Sequence, residues 1–164
     1  PGDGAGHFSG PAINGFVGST RGPGTRLYGG EFDLGLGTAT GVEQCVNAAW
    51  DCTTEVTAYA SLRGRVGYTP DPTSFYYGFA GVAAANANLM TFDTIGGIEY
   101  PGEEQVQGYV LGLGYETIMD ELPGRLRMEV AHYKFDATDF TNDVTYQQVE
   151  LDMTTFGFGM VFSF

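Results

Sequence analysis

The chain has 164 residues, enough for one domain built around a single core or a closed barrel. With 20 Asp and Glu against 7 Lys and Arg, the formal charge of −13 argues against a nucleic-acid partner, whose phosphates call for a basic surface. No run of 18 apolar residues reads as a membrane helix, yet 26 Gly, 12 Phe and 10 Tyr suit strands with one apolar and one polar or small face, so a secreted β-domain and an outer-membrane barrel both stay open.

In chain order, residues 1–10 read as a loop and 11–19 as a weak strand, closed by the turn Arg21-Gly22-Pro23-Gly24. Over 26–37, Tyr28, Phe32, Leu34 and Leu36 alternate with Gly29, Glu31, Asp33 and Gly35, the period of a strand with one apolar face. Residues 38–54 read as a long polar loop holding Cys45, Trp50 and Cys52. Further metal ligands are lacking nearby, the only histidines being His7 and His132, so a local disulfide between Cys45 and Cys52 is expected, which implies an oxidising compartment. Trp50 is expected to pack against that loop.

Over 56–68, Ala58, Ala60, Leu62, Val66 and Tyr68 oppose Tyr59, Ser61, Arg63 and Arg65. After the turn Pro70-Asp71-Pro72 comes 74–85, aromatic and then Ala-rich, followed by a second long polar link over 86–105. Over 106–118, Tyr109, Leu111, Leu113 and Tyr115 share one face, while Gly108, Gly112, Gly114 and Glu116 share the other. A short link, 120–124, leads to 124–135, where Leu126, Met128 and Val130 oppose Arg127, Glu129 and Ala131; a third long polar link covers 136–148. The last strand carries Phe156, Phe158, Met160, Phe162 and Phe164 in phase, against Thr155, Gly157, Gly159, Val161 and Ser163. Ending on a terminal Phe is the recurrent close of outer-membrane barrel proteins, where it helps the barrel-assembly machinery recognise the strand.

Short and long links alternate, as they do when periplasmic turns are tight and extracellular loops are free to grow. The expected fold is therefore all-β: an antiparallel, up-and-down transmembrane β-barrel forming a single domain over 1–164. The pattern yields seven strands, whereas single-chain bacterial barrels have an even number, so eight are expected with the first upstream of Pro1. A short irregular strand over Gly4–Gly10 is the alternative. The chain shows no signal peptide, so a targeting segment is expected to have been removed.

The stretch Ala60-Ser61-Leu62-Arg63-Gly64-Arg65-Val66-Gly67-Tyr68, the Pro/Asp turn after it and Phe75-Tyr76-Tyr77-Gly78 resemble the fourth and fifth strands of small porin-like surface proteins of alphaproteobacteria. These belong to the eight-stranded group that includes the OmpA transmembrane domain and the opacity-type proteins. Gly112-Leu113-Gly114-Tyr115-Glu116 and the Phe-ended last strand are similar as well. The resemblance covers most of 11–164 and departs at the N-terminus and in the Cys45–Cys52 segment. It implies a structural or surface role in the outer membrane, with the C-terminus periplasmic, and carries over no catalytic residue.

If the apolar faces meet lipid, then Glu31, Asp33, Arg63, Arg65, Glu116, Arg127 and Glu129 point into the lumen. An eight-stranded barrel is just wide enough for side chains to fill, so these charges are expected to pair as an ionic plug, Glu31 with Arg63 first among them; a polar conduction path is the other reading. The long links instead carry Glu43, Asp51, Asp93, Glu99, Glu103, Glu104, Asp136, Asp139 and Asp143, a solvated acidic rim that could also recruit divalent cations bridging lipopolysaccharide. Their spacing matches no calcium loop. An enzyme reading would need His132 as a base beside Glu129 and Ser61, but His132 is in phase with Leu126 and Val130 while Glu129 is not. Neither enzyme activity, cofactor nor metal is expected.

The leading function is a structural outer-membrane protein displaying acidic extracellular loops to lipopolysaccharide or a protein partner. A narrow porin for small solutes, a lipid-modifying enzyme and a soluble secreted barrel with an internal ligand are the alternatives.

Overall fold

The computed structural model describes residues 5–8, 10–44, 50–93, 95–119, 124–141 and 146–162. Its elements are β1 (Ala5–Phe8), β2 (Ala12–Arg21), β3 (Arg26–Gln44), β4 (Trp50–Asp71), β5 (Ser74–Asp93), β6 (Glu99–Ile118), β7 (Arg125–Thr141) and β8 (Tyr146–Val161). From β2 to β8 each strand pairs antiparallel with the next in sequence, giving an up-and-down sheet that curls into an open barrel. The short β1 joins the far edge, pairing parallel with Glu150–Met153 of β8. A strand thus forms at Ala5–Phe8, in line with the alternative reading of a short strand over Gly4–Gly10 and not with the loop expected over 1–10. We call the end with links 22–25, 72–73 and 119–124 the lower end, and the opposite end the upper.

Alternation decides which residues curl inward. Glu31, Asp33, Ser61, Arg63, Phe75, Tyr77, Phe79, Val110, Arg127 and Tyr133 are buried, while Phe32, Leu34, Leu62, Val82, Leu111, Leu113 and Val130, in the opposite phase of their strands, are exposed. On the outer face the apolar positions form a belt. In β5 they run from Tyr76 to Ala84 and then give way to Asn86 and Asn88; in β6 they run from Tyr115 to Tyr109 and give way to Gln107 and Gln105. At ~3.3 Å per residue and a barrel tilt of about 40°, the β5 run covers about 20 Å of wall height and the β6 run about 15 Å. Its lower rim is aromatic: Tyr68, Tyr76 and Tyr115 are direct cross-strand neighbours, and the Tyr76 and Tyr115 rings lie 4.7 Å apart.

The long polar links are corrected by the structure. Most of 38–54, 86–105 and 136–148 continues as paired strand, leaving only 45–49, 94–98 and 142–145 between the strands. Polarity there marks the exit from the apolar belt and not the end of the strand. β-Branched Thr53 and Thr54 favour the extended backbone, and Thr54 and Ala87 stay buried inside the extension, next to the buried Val56, Ala85 and Val106. Register shifts at Leu36/Ala39 and Val56/Ala58 fall side by side on neighbouring strand pairs, and a third lies at Phe135/Thr138. In β4 the shift reverses the phase, so that Thr54 and Val56 face inward above it and Tyr59 and Ser61 below. Above Gly108–Phe135, no ladder joins β6 to β7 among the described residues.

Candidate functional site

The interior has two storeys. The upper is apolar: Val56, Tyr59, Ala85, Val106, Val110, Tyr133, Phe135, Leu151 and Met153 form one buried cluster, with Tyr59 edge-on to Tyr133 at 5.2 Å. The lower storey is ionic and draws one to three charged residues from each of β3, β4, β6 and β7.

Glu31 lies at its centre. Its Oε1 accepts hydrogen bonds from Arg63 Nη2 at 2.6 Å and Arg127 Nη2 at 2.8 Å, and its Oε2 accepts one from Arg127 Nη1 at 2.9 Å and lies 3.1 Å from Arg65 Nη1. Arg127 therefore grips Glu31 with both arms of its fork, the strongest carboxylate geometry open to arginine. Arg63 also reaches Asp33 Oδ2 at 3.2 Å and Glu129 Oε2 at 3.4 Å. Arg65 donates to Glu116 Oε1 at 3.1 Å and to Thr20 Oγ1 at 2.8 Å. Arg125, half-buried at the lower mouth, stands 3.8 Å from Glu116 Oε2. Four guanidinium groups thus meet four carboxylates, and the lower storey is close to neutral.

Aromatic rings wall in the cations. Arg63 lies over Phe79 at 4.6 Å, Arg65 over Tyr77 at 5.2 Å, and Arg127 over Phe16 at 4.1 Å. Tyr77 is also a member of the network: its hydroxyl accepts from Arg127 Nε at 2.7 Å and donates to Glu129 Oε1 at 2.7 Å. The ring fits because β6 offers glycine beside it. A Cβ at Gly114 would come within 2.2 Å of Tyr77 Cζ, and one at Gly35 within 2.2 Å of Tyr59 Cζ.

All seven charged residues singled out from the sequence, Glu31, Asp33, Arg63, Arg65, Glu116, Arg127 and Glu129, lie in this one cluster. The aromatic partners Phe16, Tyr77 and Phe79, and the polar Asn14 and Thr20 of β2, were not assigned to it from sequence. Phe75, Tyr77 and Phe79 do share a phase, but Tyr76 between them is equally aromatic and masks the face. Asn14 accepts the Tyr59 hydroxyl at 2.9 Å.

Elsewhere, Phe156, Phe158 and Phe162 are exposed on the outer face with Met160 half-buried, and Phe164 lies outside the described residues. Cys45 lies outside them too, as does the side chain of Cys52, whose backbone sits in β4 opposite Glu43 and Thr91. Trp50 opens β4 and does not lie in a loop; its side chain is likewise outside the described set. His132 sits on the outer face, its Nδ1 3.0 Å from Thr154 Oγ1, while Glu129 is inside and bound to Arg127 and Tyr77. No cluster of three metal-ligating side chains occurs among the described residues.

Basic residues are segregated along the axis. Arg21, Arg26 and Arg125 lie at the lower end, which also carries Asp71 and, in the sequence of the 119–124 link, Asp120 and Glu121, whereas Glu55, Glu99, Glu103, Glu104 and Asp136 lie on the upper half, where Lys134 is the one basic residue of the sequence. In comparisons with known proteins the chain matches no family model, no curated protein and no solved structure.

Proposed function

We propose that this chain is an eight-stranded transmembrane β-barrel of a bacterial outer membrane, and that its role is structural. One observation carries the reading: the molecule is inside-out for water. It buries Glu31, Asp33, Arg63 and Arg127 in its interior and presents Leu113, Phe156 and Phe158 at 72%, 74% and 81% exposure on a continuous outer belt. A soluble barrel would leave that belt as an aggregation surface, whereas a bilayer's hydrocarbon matches its chemistry.

The packed interior favours a plug over a pore. Arginine forks, carboxylates and aromatic rings crowd the lower storey and apolar side chains line the upper, which supports a plugged barrel over a wide aqueous pore. The acidic upper half would face outward, toward lipopolysaccharide and the divalent cations that hold it, with the arginine-bearing lower end in the periplasm.

Gel mobility of the detergent-extracted native protein, with and without boiling, tests this reading. A faster unboiled band with β-type circular dichroism, and no unitary conductance in planar bilayers, is the expected result. Full solubility without detergent and no boiling-dependent shift would overturn the membrane assignment, and discrete conductance steps would replace the plug with a narrow channel.

A further inference from the structure

A cavity of about 620 Å³ lies within the curl of the sheet, lined by residues of β2, β3, β4, β7 and β8. That volume is typical of small-molecule sites. Its lining joins the two storeys of the interior. Asp33, Arg63, Arg127 and Glu129 come from the ionic cluster, and Val56, Tyr59, Ala131, Tyr133 and Met153 from the apolar core. On β8 the inward positions are small. Gly157 lies directly across from Glu129, and a Cβ there would meet nothing within 4 Å.

Most of the charged lining is already engaged. Arg127 spends its three guanidinium nitrogens on Glu31, Glu129 and Tyr77. Glu129 Oε1 accepts from Tyr77 and Arg127, and its Oε2 accepts from Arg63. The Tyr59 hydroxyl donates to Asn14. Asp33 differs: Oδ2 stands 3.2 Å from Arg63, whereas Oδ1 is buried with no hydrogen-bond partner among the described residues. A buried carboxylate oxygen without a donor is costly, and the soft terminal torsion of aspartate lets it turn to a donor held in the cavity.

We propose that this cavity is a binding site for a small neutral molecule with an apolar, aromatic-sized body and one hydroxyl group, the hydroxyl donating to Asp33. The charge of the ligand follows from the cluster. Its guanidinium and carboxylate groups balance, so an ammonium would add an uncompensated buried charge, and a carboxylate would meet Asp33 and Glu129. The body follows from the other walls. Val56, Ala131 and Met153 supply no side-chain hydrogen bonds, and a buried water needs two to four partners. Flat rings also suit the neighbouring faces of Tyr59 and Tyr133. The site goes beyond the structural role proposed above and does not depend on a membrane, and a ligand seated on the ionic cluster leaves the plug in place.

Methyl-labelled methionine spectra of the detergent-solubilised protein, titrated with 4-phenylphenol, test it. Met153 lines the cavity, while Met128, in phase with the exposed Val130, reports on the outer face and on probe dissolved in detergent. A saturable shift is expected at Met153 and not at Met128. The methyl ether, 4-methoxybiphenyl, keeps the body and loses the donor, and should bind about tenfold more weakly or worse, as for one hydrogen bond to a charged acceptor. Asp33→Ala should erase the preference between the two probes, and Gly157→Leu, which fills the cavity from β8, should abolish the shift. The comparison of the two probes on the unaltered protein stands even if a variant fails to fold. No saturable shift at Met153, equal affinity for the two probes, or binding that survives in folded Gly157→Leu would each overturn the proposal.

Discussion

Glu31 and Arg63 are direct cross-strand neighbours in the β3–β4 ladder, and Arg63 Nη2 donates to Glu31 Oε1 at 2.6 Å with both side chains almost wholly buried. The pair does not stand alone, since Arg127 arrives from the opposite wall to share the same oxygen at 2.8 Å. Glu31 is thus where the two sides of the curled sheet are pinned together.

Removing that pin leaves buried cations without their anion. Glu31→Gln is expected to destabilise the barrel by about 3–5 kcal/mol, the range for breaking a buried ion pair from one side. Glu129→Gln should cost less, because Glu129 is only partly buried and Arg63 and Arg127 keep Glu31. Urea unfolding of both variants in the same detergent or lipid checks this; equal midpoints for wild type and Glu31→Gln would mean the cluster is not holding the fold.

Tyr77 separates packing from hydrogen bonding. Tyr77→Phe keeps the ring that stacks on Phe75 and lies beneath Arg65, but leaves Arg127 Nε buried without an acceptor. The expected cost is about 1–3 kcal/mol, the penalty of an unsatisfied buried donor. A loss within error of zero in the same unfolding measurement would show that water replaces the hydroxyl.

How far the sequence discloses this arrangement depends on the level. Alternation was legible wherever one face carried charge or glycine and the other large apolar groups, as in Glu31-Phe32-Asp33-Leu34 or Arg127-Met128-Glu129-Val130. It failed in two physical situations. At 75–79 both faces are aromatic, so Tyr77 could not be told from Tyr76 by type. At Thr57 a bulge reverses the phase, and above it the outer face turns polar, so Thr53 and Thr54 read as loop although the backbone stays paired. Partner choice inside the lumen was legible only for direct neighbours such as Glu31 and Arg63. The contact of Arg127 with Glu31 joins strands far apart in the sheet and depends on curvature that no local pattern encodes.

The outer belt supplies a test of environment. Val82 is exposed at mid-belt, between the aromatic rim and Asn86. In a bilayer, Val82→Arg should destabilise by about 2–4 kcal/mol, as charged groups do on the lipid face near the midplane. In a soluble protein the same change on an exposed position should be close to neutral and should improve solubility. Comparing reversible unfolding in liposomes for Val82→Arg and for Asn88→Arg, above the belt, distinguishes the two, because only a bilayer makes the first substitution much costlier than the second.

At the lower end, the β4–β5 turn depends on a single carboxylate. Asp71 Oδ1 accepts hydrogen bonds from the Thr73 hydroxyl at 2.5 Å and from the Thr73 and Ser74 backbone N–H groups, each at 2.9 Å, which favour the charged form and hold its pKa below the usual carboxylate value. Because the folded pKa is depressed, this contribution is fully present above the unfolded value near ~3.9 and fades as pH falls through the lower, folded one. Asp71→Ala should therefore loosen the hairpin at neutral pH, seen as faster amide exchange at Thr73 and Ser74, and the difference from wild type should close in strong acid. A difference in exchange, corrected for its intrinsic pH dependence, that persists unchanged at acid pH would mean the carboxylate charge does not hold the turn.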